Sequence, residues 1–562
     1  MKRLVMAVLL ACLLLSSACS TGNQQNSNDP GQTSGPSDDP GSKGVVIIDP
    51  SDLFSGRDLE VGYDETTSAA IKLNGNTAAS GSNAVKVSGS TVAITDEGTY
   101  ILSGTLNDGM IIVDADKADK VRLVLNNVKI NSKTSAPIYI RQADKVFITL
   151  APDSANTLSN GGTFAQTDEN SIDAVIFSKD DLTLNGSGTL IINSPAGHGI
   201  VSKDELKLTG GTYEIKAASH GLEGKDNVCI GNAKLSITSG MDGIHAENPD
   251  DSTLGFIYIQ SGTFNITSEG DGIAASAKMQ IDGGTFHIVS GGGSANAAKS
   301  NASSKGIKAS GELVINDGSF TVDSADDAVH SNASITITGG TIEIATGDDG
   351  FHADDTLTIL SGTVKVTESY EGLEGLHVKV SGGDLTLYAG DDGINAAGGT
   401  DQSGFGGRDR FGGRGDGAGS KGSIEISGGK LYINARGDGI DANGTLTISG
   451  GYTVVCGPIK GDTATLDYDV SGVITGGTFI GTGASRRAMS FSDSEQGVIS
   501  VRIASQPAGT AITLSDSKGN KIISDYKPEL EFEIVILSSP DIVKGETYTL
   551  NVGSKSDEVT AK

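Results

Sequence analysis

Acidic residues recur along the chain at spacings that would stack them. Asp327, Asp349, Glu371 and Asp392 stand 22, 22 and 21 residues apart, and Asp242, Asp271 and Asp438 open similar units. Each unit reads acidic residue, Gly, apolar, polar, Ala, or a close variant. Asp326, Asp348 and Asp391 precede three of these residues, while Glu223, Glu374, Asn395 and Asp441 stand three places into their own units. Carboxylates repeated about 4.8 Å apart repel one another unless they are protonated, alternated with bases or bridged by cations. Oxygen-rich clusters of loose geometry favour Ca2+, so calcium is the cofactor this pattern predicts. The plain alternative is that Asp-Gly makes good turns, although doubled Asp-Asp exceeds what a turn requires. His245, His330 and His352 share the later column and leave a transition-metal site open.

A second series is Ser178-Lys179-Asp180, Ser202-Lys203-Asp204 and Gly224-Lys225-Asp226. A Lys with a lowered pKa could take a proton beside a uronate carboxyl, which would make Lys179, Lys203 and Lys225 candidate bases of a polysaccharide lyase. The favoured reading is an ion-pair ladder that holds register, because a nearby carboxylate keeps a Lys protonated. Phe264, Phe286 and Phe320 alternate with Ile266, Ile288 and Val322 and read as core. Tyr258, Tyr388 and Tyr432 remain as outward candidates for sugar contact. The absence of Trp argues against a flat aromatic strip.

The elements that must position these groups follow from the same period. A repeat near 22 with short alternating strands and no helical periodicity predicts an all-β, parallel β-helix, one unit per coil. Length and composition agree: 562 residues with 79 Gly and no Trp suit a thin core shared between stacked coils. Regular coils are expected from Asp173 onward, at His198, His220, Asp242, Asp271, Lys305, Asp327, Asp349, Glu371, Asp392 and Asp438, with irregular coils before them. Insertions at 291–304 and 399–420 read as loops, the latter carrying Arg408, Arg410 and Arg414 with Phe405 and Phe411. The solenoid is expected over 44–494, with a small β unit over 495–562 capping its open end. Asp58 falls outside the regular coils and carries no role in this reading.

The net charge of −29 excludes nucleic acid as a partner. Residues 1–19 combine Lys2 and Arg3, an apolar run and Ser16-Ser17-Ala18-Cys19, which predicts a signal peptide with a lipobox-like end and lipidation of Cys19. Residues 20–43 read as a disordered polar tether. The expected location is therefore extracellular, with membrane contact through a lipid anchor only. Cys229 and Cys456, about eight coils apart, read as free thiols.

The stretches DLFSGRDLEVGYDE, APIYIRQADKVFITL, AVIFSKDDLTLNGSGTL and HGIVSKDELKLTGGTY, with the turns GMDGIHA and GDDGFHA, resemble the bacterial carbohydrate-binding domain-containing protein family. The likeness covers about residues 52–490, and SKDDLTLNGSG is its most specific part. It implies a secreted right-handed β-helix that looks like a polysaccharide lyase and binds calcium and cellulose or acidic, pectin-like polysaccharide, without established catalysis. The family's calcium-binding turns then map onto Asp326, Asp327, Asp348, Asp349, Asp391 and Asp392. A calcium-dependent lyase and a structural adhesin are the other readings of the chain.

Overall fold

The computed structural model describes residues 44–166, 168–297, 303–397, 422–459 and 463–562. The leader with Cys19, the 20–43 tether, the 399–420 insertion and part of the 291–304 insertion lie outside the described residues.

Alternation sets the strands, since residues two apart in an extended chain face the same side. In Thr263–Ser268, Phe264 and Ile266 are buried while Thr263, Asn265 and Thr267 are exposed. Each regular coil contributes three such strands, and each strand pairs in parallel with its counterpart one coil on. Ile200, Leu222, Ile244 and Ile273 line up in the first sheet, Leu206, Val228, Ile257 and Met279 in the second, and Ile215, Ile237, Ile266 and Ile288 in the third. These side chains form one continuous core, and the fold is a parallel β-helix. The Phe264, Phe286 and Phe320 rings stack inside it with centroids 4.4 and 4.5 Å apart.

Parallel pairing also runs through the coils before Asp173. Ala69–Gly75 already pairs in parallel with Gly98–Leu106, which pairs in parallel with Lys120–Ser132. At the other end, Thr478–Gly483 pairs antiparallel with Phe532–Ser538, which also pairs with Val498–Gln506. A separate four-stranded sheet completes the C-terminal region, and residues 44–562 form one compact unit. Cys229 and Cys456 are free and buried.

Glycine serves two purposes here. Gly262, Gly284 and Gly318 take φ of +146°, +127° and +128° between the second and third sheets, where L side chains are strained. Gly243, Gly272, Gly350, Gly393 and Gly439, which follow the repeated Asp residues, have no positive φ; they are needed for close approach. A Cβ on Gly243 would sit 2.4 Å from Ile266 Cγ2 and 2.6 Å from the Gly272 carbonyl oxygen. Turn chemistry therefore does not account for the Asp-Gly repeat.

Before the first strand, residues 44–62 cross the outward face of the second sheet. Asn316 Nδ2 donates to the Val45 carbonyl, and Ile47 and Ile48 donate to Gln280 Oε1. Arg122 Nη1 donates to the Gly62 carbonyl. This strap thus spans eight coils, from the strand Leu313–Ile315 back to the strand Lys120–Ser132.

Candidate cation-binding edge

The first sheet carries the stacked polar residues in two columns. The inner column, two residues before the core residue of each strand, runs His198, His220, Asp242, Asp271, Lys305, Asp327, Asp349, Glu371, Asp392 and Asp438. The outer column, three places on, runs Glu223, His245, Ala274, Lys308, His330, His352, Glu374, Asn395 and Asp441 in direct register. The expected acidic column is therefore one column, interrupted by Lys305.

Much of the inner column is tied into the backbone. Its side chains accept the main-chain N–H of the next coil: Asp242 Oδ1 from Asp271 at 2.8 Å, Asp271 Oδ1 from Lys305 at 2.7 Å, Asp327 Oδ1 from Asp349 at 3.1 Å and Asp349 Oδ1 from Glu371 at 3.0 Å. The Nδ1 atoms of His198 and His220 do the same at 3.2 and 3.0 Å. Lys305 cannot accept, and Asp326 Oδ1 takes the Asp327 N–H in its place. Such bonds satisfy donors that would otherwise be orphaned in a buried turn.

Charge compensation divides the edge into zones. In the first, Asp242 pairs with His245 at 2.7 Å and Glu223 with Lys203 at 2.8 Å, while His220 and His198, whose Nδ1 atoms accept main-chain N–H groups, lie beside Asp242 and Glu223 without supplying charge. Burial and the neighbouring His245 push His220 down to about 4. The His198, His220 and His245 rings stack at 5.1 and 4.2 Å, tilted by 24° and 15°, and His330 stacks on His352 at 16°. A metal lies in the plane of each imidazole that binds it, and near-parallel stacked planes share no such point. The stacks therefore do not form multi-histidine sites as they stand.

In the second zone lysines supply the cations. Lys308 lies 3.4 Å from Asp271, and Lys305 lies 2.9 Å from both Asp326 and Asp327. Burial raises the Asp327 pKa, but Lys305 and His330 outweigh it and hold the carboxyl well below the usual range. Asp326, Asp327 and Asp348 bring their oxygens within 4.8 Å of one another, and the Lys305 ammonium already serves two of them.

The third zone centres on His352, whose Nδ1 is 2.6 Å from Glu374 Oε2 and 3.4 Å from Asp349 Oδ2. Burial opposes its charge, yet Asp349, Asp354 and Glu374 hold the imidazolium pKa well above its ordinary value. Asp349 is still raised well above the carboxylate range, by burial and then Glu374.

Beyond it, only Arg487 among the cations of the described residues eases the carboxylates, lowering Asp438 through space. Among the described residues no Lys or Arg is ion-paired with Glu371, Asp391, Asp392, Asp438 or Asp441. Burial and then Asp438 push Asp392 up to about 8; burial and Asp438 push Asp441 to about 7; burial leaves Asp438 at about 6. Glu371 is raised well above its range by burial, Glu374 and Asp392. Asn395 Nδ2 donates to Glu371 Oε1 at 2.9 Å, but Glu371 Oε2 and Asn395 Oδ1 are buried with no hydrogen-bond partner among the described residues. Two bare oxygens among crowded carboxylates fit a hard divalent cation.

The Lys ladder pairs with partners other than its sequence neighbours. Lys203 Nζ lies 2.8 Å from Glu223 Oε1, and Lys225 Nζ lies 2.7 Å from Asp250 Oδ2. Asp180 instead accepts the Ala143 N–H, and burial with Asp181 and Asp226 pushes Asp204 up to about 7. The tyrosines are less open than expected. Tyr258 is 1% exposed because the strap covers it; its hydroxyl donates to Asp282, and its ring lies 6.3 Å from Phe54. Tyr432 packs against the C-terminal core with a buried hydroxyl that has no partner among the described residues, and Tyr388 reaches Glu529.

These features define a parallel β-helix with one carboxylate-lined edge. The carbohydrate-binding domain-containing protein family matches the chain over residues 88–350 and 349–479, and the chain belongs to that family. A carbohydrate-binding domain-containing protein of Acetivibrio thermocellus is 42% identical over 135 residues, which are 24% of this chain and 47% of the relative; the match thus spans about half of that relative's length. A solved structure of the polysaccharide lyase-like protein from C. thermocellum, a gadolinium derivative, is 29% identical, covering 52% of this chain and 96% of that one, at a TM-score of 0.37.

Proposed function

We propose that this protein is an extracellular, calcium-dependent polysaccharide-binding protein that takes acidic, pectin-like glycans. The observation that carries the reading is the pair of buried, unpartnered oxygens, Glu371 Oε2 and Asn395 Oδ1, beside carboxylates whose pKa values are raised by burial and mutual repulsion. Glu371 and Asn395 would hold Ca2+ together with Asp392, whose neighbours Asp438 and Asp441 bring oxygens within 4.8 Å of it and of each other. Bound there, the ion would cancel the repulsion and present positive charge on an otherwise acidic edge, which a uronate carboxylate can meet. Family membership supports a carbohydrate partner. The ion pairs of Lys203 and Lys225 favour binding over lysis, since a base must be neutral to accept a proton. Lipidation of Cys19 would keep the protein at the cell surface.

Retention on immobilised polygalacturonate, measured with calcium and with EDTA, tests the reading. Calcium-dependent retention that is weakened in Glu371→Gln is expected. Equal retention in EDTA, or none in either buffer, would overturn it.

A further inference from the structure

The outward face of the second sheet, under the strap, is built like a binding groove. Its donors grip the strap by acceptors spread along an extended chain. Asn316 and Lys278 hold the Val45 and Ile47 carbonyls, Asn185 and Thr209 hold the Asp58 carbonyl, and Arg122 holds the Gly62 carbonyl and the Glu60 carboxylate. No residue of the strap joins a strand ladder. It is held by side chains alone, and Val46, Leu59 and Val61 point outward at 62, 57 and 51% exposure.

One contact goes further than gripping backbone. Asp58, fully buried, places Oδ1 2.6 Å from the Thr183 hydroxyl and 3.0 Å from the Lys145 ammonium. Its other oxygen is closed off by Ser55 in its own one-turn helix, Gly56–Leu59. Lys145 is itself buried and also faces Asp181 at 3.8 Å and Glu205 at 4.0 Å, while Lys207 pairs with Glu205 at 2.7 Å. Three and four coil steps on from Lys145, the strap lays Ile48 and Phe54 over the Cys229 thiol and Tyr258. A carboxylate seat and an aromatic face, on one sheet face and both covered by the chain's own extended segment, match what an acidic sugar chain offers: carboxylates, many acceptors and apolar ring faces.

We propose that this face is a second binding site, specific for the carboxylates of an acidic glycan, and that Asp58 of the strap occupies its carboxylate seat until glycan displaces it. Exchange of one carboxylate for another leaves the number of buried charges beside Lys145, Asp181 and Glu205 unchanged, so it adds no new desolvation cost. The inference takes only the acidity of the glycan from the function proposed above. It needs no calcium, so the two fail separately.

Cys229 reports the strap, because lifting Ile48 and Phe54 uncovers it. The full-length protein is alkylated with iodoacetamide in EDTA, and labelling of Cys229 is followed by peptide mass mapping relative to Cys456. Trigalacturonate is expected to accelerate Cys229 labelling severalfold, and neutral cellotriose to leave it unchanged. Asp58→Asn, and separately Phe54→Ala, should label faster without sugar. Asp58→Asn should also bind trigalacturonate by calorimetry in EDTA, and lose that binding when Lys145→Met is added. Cys229 protection unchanged by trigalacturonate at its highest soluble concentration, together with an Asp58→Asn protein that binds none, overturns the proposal and leaves the strap a fixed brace. Acceleration by cellotriose equal to that by trigalacturonate overturns the carboxylate specificity.

Discussion

The Lys305 ammonium lies 2.9 Å from Asp327 Oδ2 one coil on, with both side chains almost wholly buried. Lys305 holds the register position that carboxylates hold in the coils on either side, and so puts a fixed cation where the column would otherwise repel itself. Removing one partner of a buried pair costs about 3–5 kcal/mol, because the other charge stays desolvated. Lys305→Met should therefore lower the melting temperature in EDTA, and millimolar Ca2+ should recover more of it than calcium adds to the wild type. Equal calcium effects in the two proteins would mean that Lys305 does no charge compensation.

The coils beyond His352 lead to the opposite expectation. A ligand that binds only the folded state stabilises it, so chelation should lower the wild-type melting temperature and calcium should restore it. Glu371→Gln should shrink the calcium effect most, Asp349→Ala less, because His352 already serves Asp349. Melting unchanged by EDTA would remove calcium from the account.

Proton uptake in the same coils has a definite sign. Asp392, Asp441 and Asp438 titrate at about 8, 7 and 6 in the fold, against 3.8 for an ordinary Asp. Between pH 4 and 8 the folded state thus holds protons that the unfolded state has released, and stability falls as pH rises. In EDTA the melting temperature should drop from pH 5 to pH 8, with a smaller drop in Asp392→Asn. Calcium should flatten the profile by taking the protons' place. A melting temperature that rises over this range in EDTA would contradict the assigned shifts.

What the sequence made legible was whatever repeats at fixed spacing. The inner column from Asp242 to Asp438, the inward Phe264, Phe286 and Phe320, and the separation of Cys229 from Cys456 all follow from a 22-residue period. Lys305 sat in the correct register, but its role depends on reaching Asp326 and Asp327 one coil on, which requires a side-chain direction. The coils before Asp173 are paired in parallel like the later ones, with register shifts at Leu102/Gly104 and Val113/Asp114, and their unequal lengths conceal them from a fixed period. Asp58 shows what periodicity cannot carry: read as lying outside the coils, it is fully buried through contacts with Lys145 and Thr183, 87 and 125 residues away. Tyr258 was placed on the correct face and mistaken for open because the strap that covers it does not repeat.

The leader offers a separate check. If Cys19 carries a lipid, Cys19→Ala should move the protein from the membrane fraction to the medium. Equal membrane retention of the variant would rule out lipid as its main attachment.

Binding without lysis is the sharpest functional prediction. A uronate lyase needs a neutral base, a cation that stabilises the developing enolate and a groove that holds the sugar carboxylate between them. In the function proposed above, the carboxylate edge would offer the cation position. Two of the three ladder lysines are committed elsewhere: the Lys203 ammonium is 2.8 Å from Glu223, and Asp250 raises the Lys225 pKa by hydrogen bonding to it. A protonated amine cannot take the C5 proton. Incubation with polygalacturonate and calcium should therefore retain the polymer without the growth in ultraviolet absorbance that unsaturated uronides give. Steady production of unsaturated sugar that disappears in Lys203→Ala would show instead that Glu223 releases its partner when substrate arrives, and that the ladder is an active site.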